Sequence, residues 1–192
     1  VKNSNWTSPV NYTTYYDYFR DLKTPEASTA YFSIKSTLNM EGMSNKEKGT
    51  VKFTDTDYFK IVSLSLIEGR IYTEEEFASG VKYAIISESM ARKLMRGENP
   101  LNKTLMIQRV PYLIIGVVKD VSKIFSVARS DIWVPYTSRE KKGKYVTFLL
   151  MARDNKDYPA MYAEIRIREQ QFNSNNVPNS LSRLGPINNR VY

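Results

Sequence analysis

YFKIVSLSLIEGRIYTEEEF, at residues 58–77, is the first of three stretches that decide the fold of this 192-residue chain. VKYAIISESMARKLMRGENPLNKTLMI at residues 81–107 and YLIIGVVKD at residues 112–120 are the other two. In these stretches, short apolar runs alternate with predicted helices that begin at a Thr or Ser N-cap. A glycine stands where several of the runs end. Local signals that agree along a whole stretch are typical of a well-specified fold. The stretch therefore predicts architecture, and nothing in it indicates reaction chemistry.

These residues predict the N-termini of two helices. Thr73 is followed three positions later by Glu76, which predicts a capping box. Ser87 follows a buried-type strand and predicts the N-cap of a helix over residues 88–96, with Gly97 at the C′ position. The apolar positions of this second helix form one stripe: Met90, Ala91, Leu94 and Met95.

Outside these stretches, apolar periodicity and turn residues predict the remaining elements. Further helices are expected over residues 15–23 with Thr14 as N-cap, over residues 57–62 with Thr56 as N-cap, and over residues 158–172. Strands are expected over residues 28–38, 49–55, 82–87, 104–109, 112–119, 132–136 and 145–153, with a turn at Val110-Pro111. The expected irregular segments are an extended lead-in over the first dozen residues, a loop over residues 120–131, a basic turn over residues 139–144, and a linker from residue 173 with a short strand near residues 190–192.

The composition excludes several kinds of chemistry. Cysteine is absent, which excludes disulfides, thiolate metal sites and cysteine nucleophiles. Histidine is absent too, which excludes serine–histidine catalysis and removes the commonest zinc ligand. The hydrophobic fraction of 42% is enough for a folded core. The formal charge of +8 favours anionic partners such as nucleic acid or lipid headgroups, and it is equally compatible with a solvated basic surface.

No apolar run in these residues approaches the roughly 20 residues that span a bilayer, and the first residues do not have the pattern expected of a signal peptide. The chain does not begin with Met, so we expect residue 1 to be an internal boundary of a longer protein.

Three groups of residues could carry chemistry, and each has a simpler structural interpretation. Asp55 and Asp57 have the spacing of calcium ligands but lack the rest of an EF-hand loop, which favours a turn and a helix cap. Glu74, Glu75 and Glu76 point in different directions on a helix, which favours a match to the helix dipole over a metal site. The glycosylation patterns at Asn5, Asn11 and Asn102 arise readily by chance in a chain rich in Asn and Thr.

No phosphate-binding loop and no nucleic-acid recognition motif occurs. Lys and Arg are interleaved with Tyr and Phe, as in single-strand binders, but most aromatic residues fall on predicted core faces. We therefore nominate no catalytic, cofactor-binding or metal residue, expect no cofactor, and leave the partner-binding surface unassigned.

AIISESMARKLMRGENPLNK at residues 84–103, followed by YLIIGVVKD, resembles the extracytoplasmic core domain of MacB-type, FtsX-like ABC transporter permeases. Tyr58-Phe59, Gly69-Arg70 and the Ile132–Pro135 run IWVP extend the similarity over about residues 51–136. Asn102 stands where the family usually has Gly, and Asn tolerates a positive φ better than most residues.

The resemblance implies an α+β fold of two lobes. A mixed α/β porter lobe would comprise residues 1–84 and 137–192, and a smaller β-rich lobe, residues 85–136, would be inserted into it. It also implies a non-catalytic domain between the first and second of four membrane helices of a permease in the inner membrane, facing the periplasm. Such a domain couples ATP hydrolysis by a cytoplasmic ABC ATPase subunit or domain to movement of substrate or partner proteins. Its implied partners are that ATPase, a second permease copy and a periplasmic adaptor.

Two other functions remain open at this point. A free-standing periplasmic or secreted binding module would have a cleaved signal peptide and an apolar pocket. An enzyme using carboxylates alone, such as a glycosidase, would need two acidic side chains roughly 5–10 Å apart across a cleft. The transported substrate cannot be inferred from the sequence.

Overall fold

The computed structural model describes residues 3–6, 10–122, 124–139, 145–175 and 186–189. These residues form ten strands and five α-helices. The strands are β1 (Asn3–Trp6), β2 (Ala27–Met40), β3 (Glu47–Thr54), β4 (Leu66–Gly69), β5 (Tyr83–Ser87), β6 (Thr104–Ile107), β7 (Val110–Val118), β8 (Ile132–Pro135), β9 (Thr147–Met151) and β10 (Pro186–Asn189). The helices are α1 (Tyr12–Tyr18), α2 (Tyr58–Ile61), α3 (Glu74–Ser79), α4 (Glu88–Met95) and α5 (Tyr158–Asn175).

The chain divides into two compact units. The end unit contains Val1–Phe32 and Lys141–Tyr192, and the central unit contains Ser33–Glu140. Strand β2 supplies residues to both units.

The end unit is built on antiparallel strands in the order β10-β1-β9-β2. Phe148 on β9 is buried and stacks on Phe19, which follows α1, with 5.4 Å between the ring centroids. Glu164 on α5 binds the segment that connects α1 to β2. Its carboxylate accepts hydrogen bonds from Lys23 N at 2.8 Å and Thr24 N at 2.9 Å. Aromatic packing and this carboxylate therefore hold α1, α5 and the strands together.

The central unit is a mixed sheet in which β3 pairs parallel with β8, and β8 pairs antiparallel with β5. Strand β5 pairs parallel with β7, and the edge strand β4 pairs antiparallel with β7. Strand β6 pairs with both β7 and β2. The core side chains of these strands are fully buried, as expected for strands covered on both faces: Val51, Phe53, Ile85, Ile86, Ile132 and Trp133.

Both helix starts predicted from the central stretches are confirmed. Thr73 Oγ1 accepts from Glu76 N, and the Glu76 side chain accepts from Thr73 N, so the capping box is complete. The Ser87 side chain accepts from Met90 N at 3.3 Å and caps α4. The predicted apolar stripe of α4 is buried along its whole length: Met90, Ala91, Leu94 and Met95.

Helix α1 differs from its prediction, because it starts earlier and ends earlier than residues 15–23. Asn11 is the N-cap, and its Oδ1 accepts from Thr14 N at 2.8 Å. Thr14 therefore lies inside the helix, and the prediction of Thr14 as N-cap was wrong. The local pattern suited both residues, and Asn is among the best N-cap residues.

Two further local predictions were wrong. Thr56 does not cap α2, because Asp55 Oδ1 accepts from Tyr58 N at 3.0 Å instead. The β6–β7 turn lies at Gln108 and Arg109, with φ of 51° and 67°, and not at Val110-Pro111. Two consecutive positive φ values are those of a type I′ hairpin turn, which Gln and Arg rarely form.

The other predicted elements agree with the structure within a few residues at their ends, including the long strand β2, the strand β9 and the helix α5. The lead-in contains the short strand β1, and β10 lies within the predicted C-terminal linker. Most of the predicted basic turn over residues 139–144 and the predicted strand near residues 190–192 lie outside the described residues.

The fold is a mixture of α-helix and β-strand, as predicted. The compact units divide the chain after Phe32, whereas the predicted lobe boundary lies at residue 84, inside β5. Residues 33–84 belong with the central unit because β3 and β4 pair with β8 and β7. The assignment of functional lobes stays a prediction.

Candidate functional site

The β7–β8 loop, residues 119–131, is a surface loop of the central unit that is folded by its own backbone hydrogen bonds. Phe125 N donates to Ser122 O at 3.0 Å. Ala128 N and Arg129 N then both donate to Phe125 O, at 3.0 and 2.9 Å. These bonds fold the loop into two consecutive turns.

Lys52 supports this loop from inside the unit. Strand β3 buries Lys52 so that its side chain is only 1% exposed. Its Nζ donates to the carbonyl oxygens of Ser126, at 3.4 Å, and Val127. Tyr58 Oη on α2 also donates to Val127 O, at 2.8 Å. A buried ammonium and a buried phenol thus fix the path of the loop through its main chain.

Burial lowers the pKa of Lys52 to about 7, because the charged form loses its hydration. The loop carbonyls favour the protonated amine, but not enough to restore an ordinary lysine pKa. A neutral amine still has two N–H donors, so Lys52 can hold the carbonyls in either protonation state.

The two ends of the loop are anchored by carboxylates. Asp131 Oδ2 accepts from Thr50 N at 2.7 Å. Asp120 Oδ1 accepts from Ser89 N in the first turn of α4 at 3.0 Å, and its other oxygen lies 3.7 Å from Arg92 Nη2. Both loop acids are therefore engaged within the unit.

The tip of the loop carries two apolar side chains in contact with solvent. Ile124 is 86% exposed and Phe125 is 37% exposed. A groove of about 460 Å³ lies beside the loop. It is lined mainly by polar side chains: Ser87, Ser89, Asp120, Val121, Ser122, Arg129, Ser130 and Asp131.

The residues from Gly69 to Glu76 serve the architecture. A Cβ added to Gly69 would lie 2.2 Å from Ile115 O, and one added to Gly116 would lie 2.4 Å from Arg70 O. The two glycines face each other across β4 and β7, so the backbones approach more closely than side chains would allow. Arg70 then makes two parallel hydrogen bonds of 2.7 Å to Glu76.

The acidic residues considered as metal ligands are placed apart. Glu76 binds Arg70, and Glu74 accepts from the Thr56 hydroxyl, so these carboxylates do not converge. Asp55 accepts from Tyr58 N at the start of α2, while Asp57, the N-cap residue of α2, lies 2.6 Å from Lys60 Nζ. Over the part of the chain that the structure describes, no group of three or more acidic, His or Cys side chains could hold a metal ion.

The sequence predicted residues 120–131 only as a loop, so its construction was missed. Ile124 and Phe125 between the basic residues Lys123 and Arg129 were the available signal. Lys52 could not be found from the sequence, because an isolated lysine in a strand normally points to solvent.

The sequence was compared with models of known protein families. The family model described as the MacB-like periplasmic core domain matches residues 3–168. The chain belongs to this family. Its members form the periplasmic or extracellular part of ABC transporter permeases, and the family is not one of catalytic enzymes.

Relatives of known sequence cover only part of the chain. It is 34% identical over 87 residues to the uncharacterized ABC transporter permease YknZ of Bacillus subtilis, covering 45% of this chain and 22% of YknZ. It is 30% identical over 106 residues to the macrolide export ATP-binding/permease protein MacB of Mannheimia succiniciproducens, covering 55% of this chain and 16% of MacB. The chain thus spans only a small part of the relatives it matches.

Solved structures share the fold over nearly the whole chain. The periplasmic region of MacB from Actinobacillus actinomycetemcomitans superposes with a TM-score of 0.74 at 16% identity, covering 97% of this chain and 88% of that one. The extracellular domain of the transporter YknZ from Gram-positive bacteria gives the same TM-score and identity, covering 95% and 100%. At such identity the likeness shows the fold alone. Among the described residues, no helix combines the length and apolar character that crossing a membrane requires.

Proposed function

We propose that this chain is a non-catalytic extracytoplasmic domain of an ABC transporter permease, which couples cytoplasmic ATP hydrolysis to the movement of substrate or partner proteins outside the membrane. The observation that carries the proposal is the match of the MacB-like periplasmic core domain over residues 3–168. The small fraction of each relative that aligns, 22% of YknZ and 16% of MacB, is consistent with one domain of a larger machine.

The proposed partners follow from the same family. They are a cytoplasmic ABC ATPase subunit or domain, a second permease copy and a periplasmic adaptor. We place the full protein in the cytoplasmic membrane with this domain facing the periplasm. The end unit would be the porter-like lobe, and the central unit would be the inserted β-rich lobe that reaches partners.

A free-standing periplasmic binding module is the alternative. Such a protein would leave the membrane fraction after cleavage of a signal peptide, and it would bind its ligand without an ATPase. The groove beside the β7–β8 loop is lined mainly by polar residues, whereas the alternative predicts an apolar pocket.

The location can be tested in intact cells, because the chain contains no cysteine. Ile167 on α5 is 53% exposed, so Ile167→Cys gives this domain a single reactive thiol, and any cysteine elsewhere in the full-length protein is first replaced by Ser. We expect a membrane-impermeant maleimide to label this thiol in the membrane fraction, once the outer membrane is permeabilised where one exists. A thiol reached only after lysis, or a soluble protein, would overturn the proposal.

The coupling can be tested with the same variant. The Ile167→Cys permease is reconstituted with its ATPase in lipid nanodiscs and spin-labelled, and the distance between labels on two copies is measured by pulsed electron paramagnetic resonance. We expect the distance distribution to change when ATP is trapped with vanadate. An unchanged distribution, with the ATPase still active, would contradict coupling through this domain.

A further inference from the structure

The tip of the β7–β8 loop has the features of a docking surface. We propose that Ile124 and Phe125, with the basic residues around them, bind a protein outside the membrane that offers an apolar pocket with an acidic rim. This inference rests on the proposed function, since it names the surface through which an extracytoplasmic domain would engage its partner.

The apolar anchor is the first step of the argument. A single exposed apolar side chain is normal on a protein surface. Here Ile124, 86% exposed, is followed directly by the partly exposed Phe125 at the tip of one loop. Burial of such anchors in a fitted pocket typically supplies much of the energy of a protein interface.

The rigidity of the loop is the second step. Phe125 O accepts two backbone N–H bonds, and the Val127 carbonyl accepts from both Lys52 and Tyr58 beneath it. These bonds fix the main chain at Phe125 and Val127, next to Ile124, before any partner arrives. A partner would not have to order the loop, which lowers the entropic cost of binding.

Charge is the third step and indicates the nature of the pocket. Lys119 and Arg129 are both exposed, and neither forms an ion pair with any described residue. The acids of the same loop are occupied, Asp120 by α4 and Asp131 by Thr50. Residues 119–131 contain three basic and two acidic residues, so the exposed Lys119 and Arg129 are offset only in part and the loop keeps a net positive charge. An acidic rim would complement that charge.

The neighbouring groove favours a protein over a lipid surface or a second copy of this chain. Ser87 and Ser130 of the groove already form hydrogen bonds within the unit, whereas Ser89 and Ser122 are at least partly exposed to water. Acyl chains covering Ser89 and Ser122 would remove the water that solvates their hydroxyls. A protein surface can supply hydrogen-bond partners in place of that water. A second copy would bring the same exposed Lys119 and Arg129 against this tip, so like charges oppose the pairing of two such loops.

The test uses the full-length permease in its host. Ile124 is replaced by the photo-cross-linking amino acid p-benzoylphenylalanine, and the control carries the same amino acid at Ile167, which is also exposed but lies on α5 of the end unit. We expect irradiation to join position 124, and not position 167, to one extracytoplasmic protein. That protein is then purified and its affinity for the permease measured.

The binding measurement decides the role of the loop. We expect Ile124→Ser to weaken binding at least tenfold, Arg129→Glu to weaken it and reduce its dependence on salt, and Ile167→Ser to leave it unchanged. Ile124 and Arg129 are exposed, so these variants should fold like the wild type.

Several results would overturn the inference. One is cross-linking of position 124 only to lipid, only to a second copy, or to nothing beyond the control. Another is a cross-linked protein that binds Ile124→Ser as tightly as wild type. If the Ile167→Cys thiol is labelled from outside, these results defeat the docking surface alone. If it is not, the proposed function itself fails.

Discussion

Lys52 illustrates, at the scale of the residue, how a buried charge can act on a surface it does not reach. Its Nζ binds loop carbonyls, so it shapes the β7–β8 loop while remaining 1% exposed. The arrangement has a cost, because burial lowers the pKa of Lys52 to about 7 from its ordinary 10.5. That cost makes the role of Lys52 measurable.

We expect replacement of Lys52 by Met to change how stability depends on pH. Between pH 7 and 10.5 the unfolded chain keeps the Lys52 proton while the folded chain releases it. The stability of the wild type therefore gains up to about 1.4 kcal/mol per pH unit from this group as pH rises, a gain that Lys52→Met lacks. Below pH 7 both states are protonated and the gain disappears.

Urea unfolding of both proteins at pH 6, 7.5 and 9 measures this difference. The wild type should improve relative to Lys52→Met from pH 7.5 to pH 9 and show no such trend below pH 7. Parallel stability curves over the whole range would mean that Lys52 keeps an ordinary pKa.

Two adjacent glutamates provide a second prediction at this scale. Glu76 binds the Arg70 guanidinium with both oxygens and completes the capping box, whereas Glu75 is fully exposed. We expect Glu76→Gln to lower the free energy of unfolding by about 0.5–1 kcal/mol, since one oxygen acceptor is lost from a partly exposed pair. Glu75→Gln is the matched control and should leave stability and binding nearly unchanged.

The hydrogen bond from Arg70 lowers the pKa of Glu76, so its contribution is present above the ordinary pKa of 4.5 and is lost as pH falls through the folded value. Denaturant melts at pH 7 and pH 3 should therefore show a smaller Glu76→Gln difference at pH 3 than at pH 7. An equal loss in both glutamate variants would assign the effect to the helix dipole instead.

At the scale of a single element, we make a prediction about the C-terminal end of helix α4. Arg96 and Gly97 both have positive φ, 52° and 101°, and end the helix. We expect Gly97→Val to destabilise the domain by more than about 1 kcal/mol, because a β-branched residue is strained at positive φ. No atom lies within 4 Å of a Cβ built at Gly97, so the loss would come from the backbone and not from a clash.

Thermal unfolding of Gly97→Val beside Gly97→Asn distinguishes the two causes. Asn tolerates positive φ, so Gly97→Asn should lose much less stability. If Val melts at the wild-type temperature, the backbone at this helix end does not require a positive φ.

Elements were predictable where their signals are local. The Thr73 and Ser87 caps and the stripe of α4 depend on residues within one or two turns, and all are confirmed. The start of α1 was missed because two neighbouring residues could both cap it. The β6–β7 turn was missed because Gln108 and Arg109 are unusual residues at positive φ, held by the flanking strands.

At the scale of the whole molecule, the sequence alone does not predict which distant strands pair with each other. Val51 on β3 lies opposite Ile132 on β8, and no local pattern records that partner. The family resemblance supplied the architecture that periodicity could not, and the family is confirmed. The compact units depend on which strands β3 and β4 pair with, which local patterns do not record, and the predicted lobe boundaries stay a prediction.

The candidate docking surface at the tip of the β7–β8 loop could not be predicted from the sequence either. A sequence shows that Ile124 and Phe125 stand in a polar loop, but it does not show that Lys52 lies beneath them. The exposure of Ile124 has meaning only once the loop is known to be rigid.

The support of the β7–β8 loop through main-chain oxygens also bears on how this family can diversify. Every residue type has a carbonyl, so the outward-facing side chains at the tip can be exchanged without altering the path of the chain. Replacements at Ile124 and Phe125 should therefore alter which surface the tip fits and leave the bonds from Lys52 and Tyr58 in place.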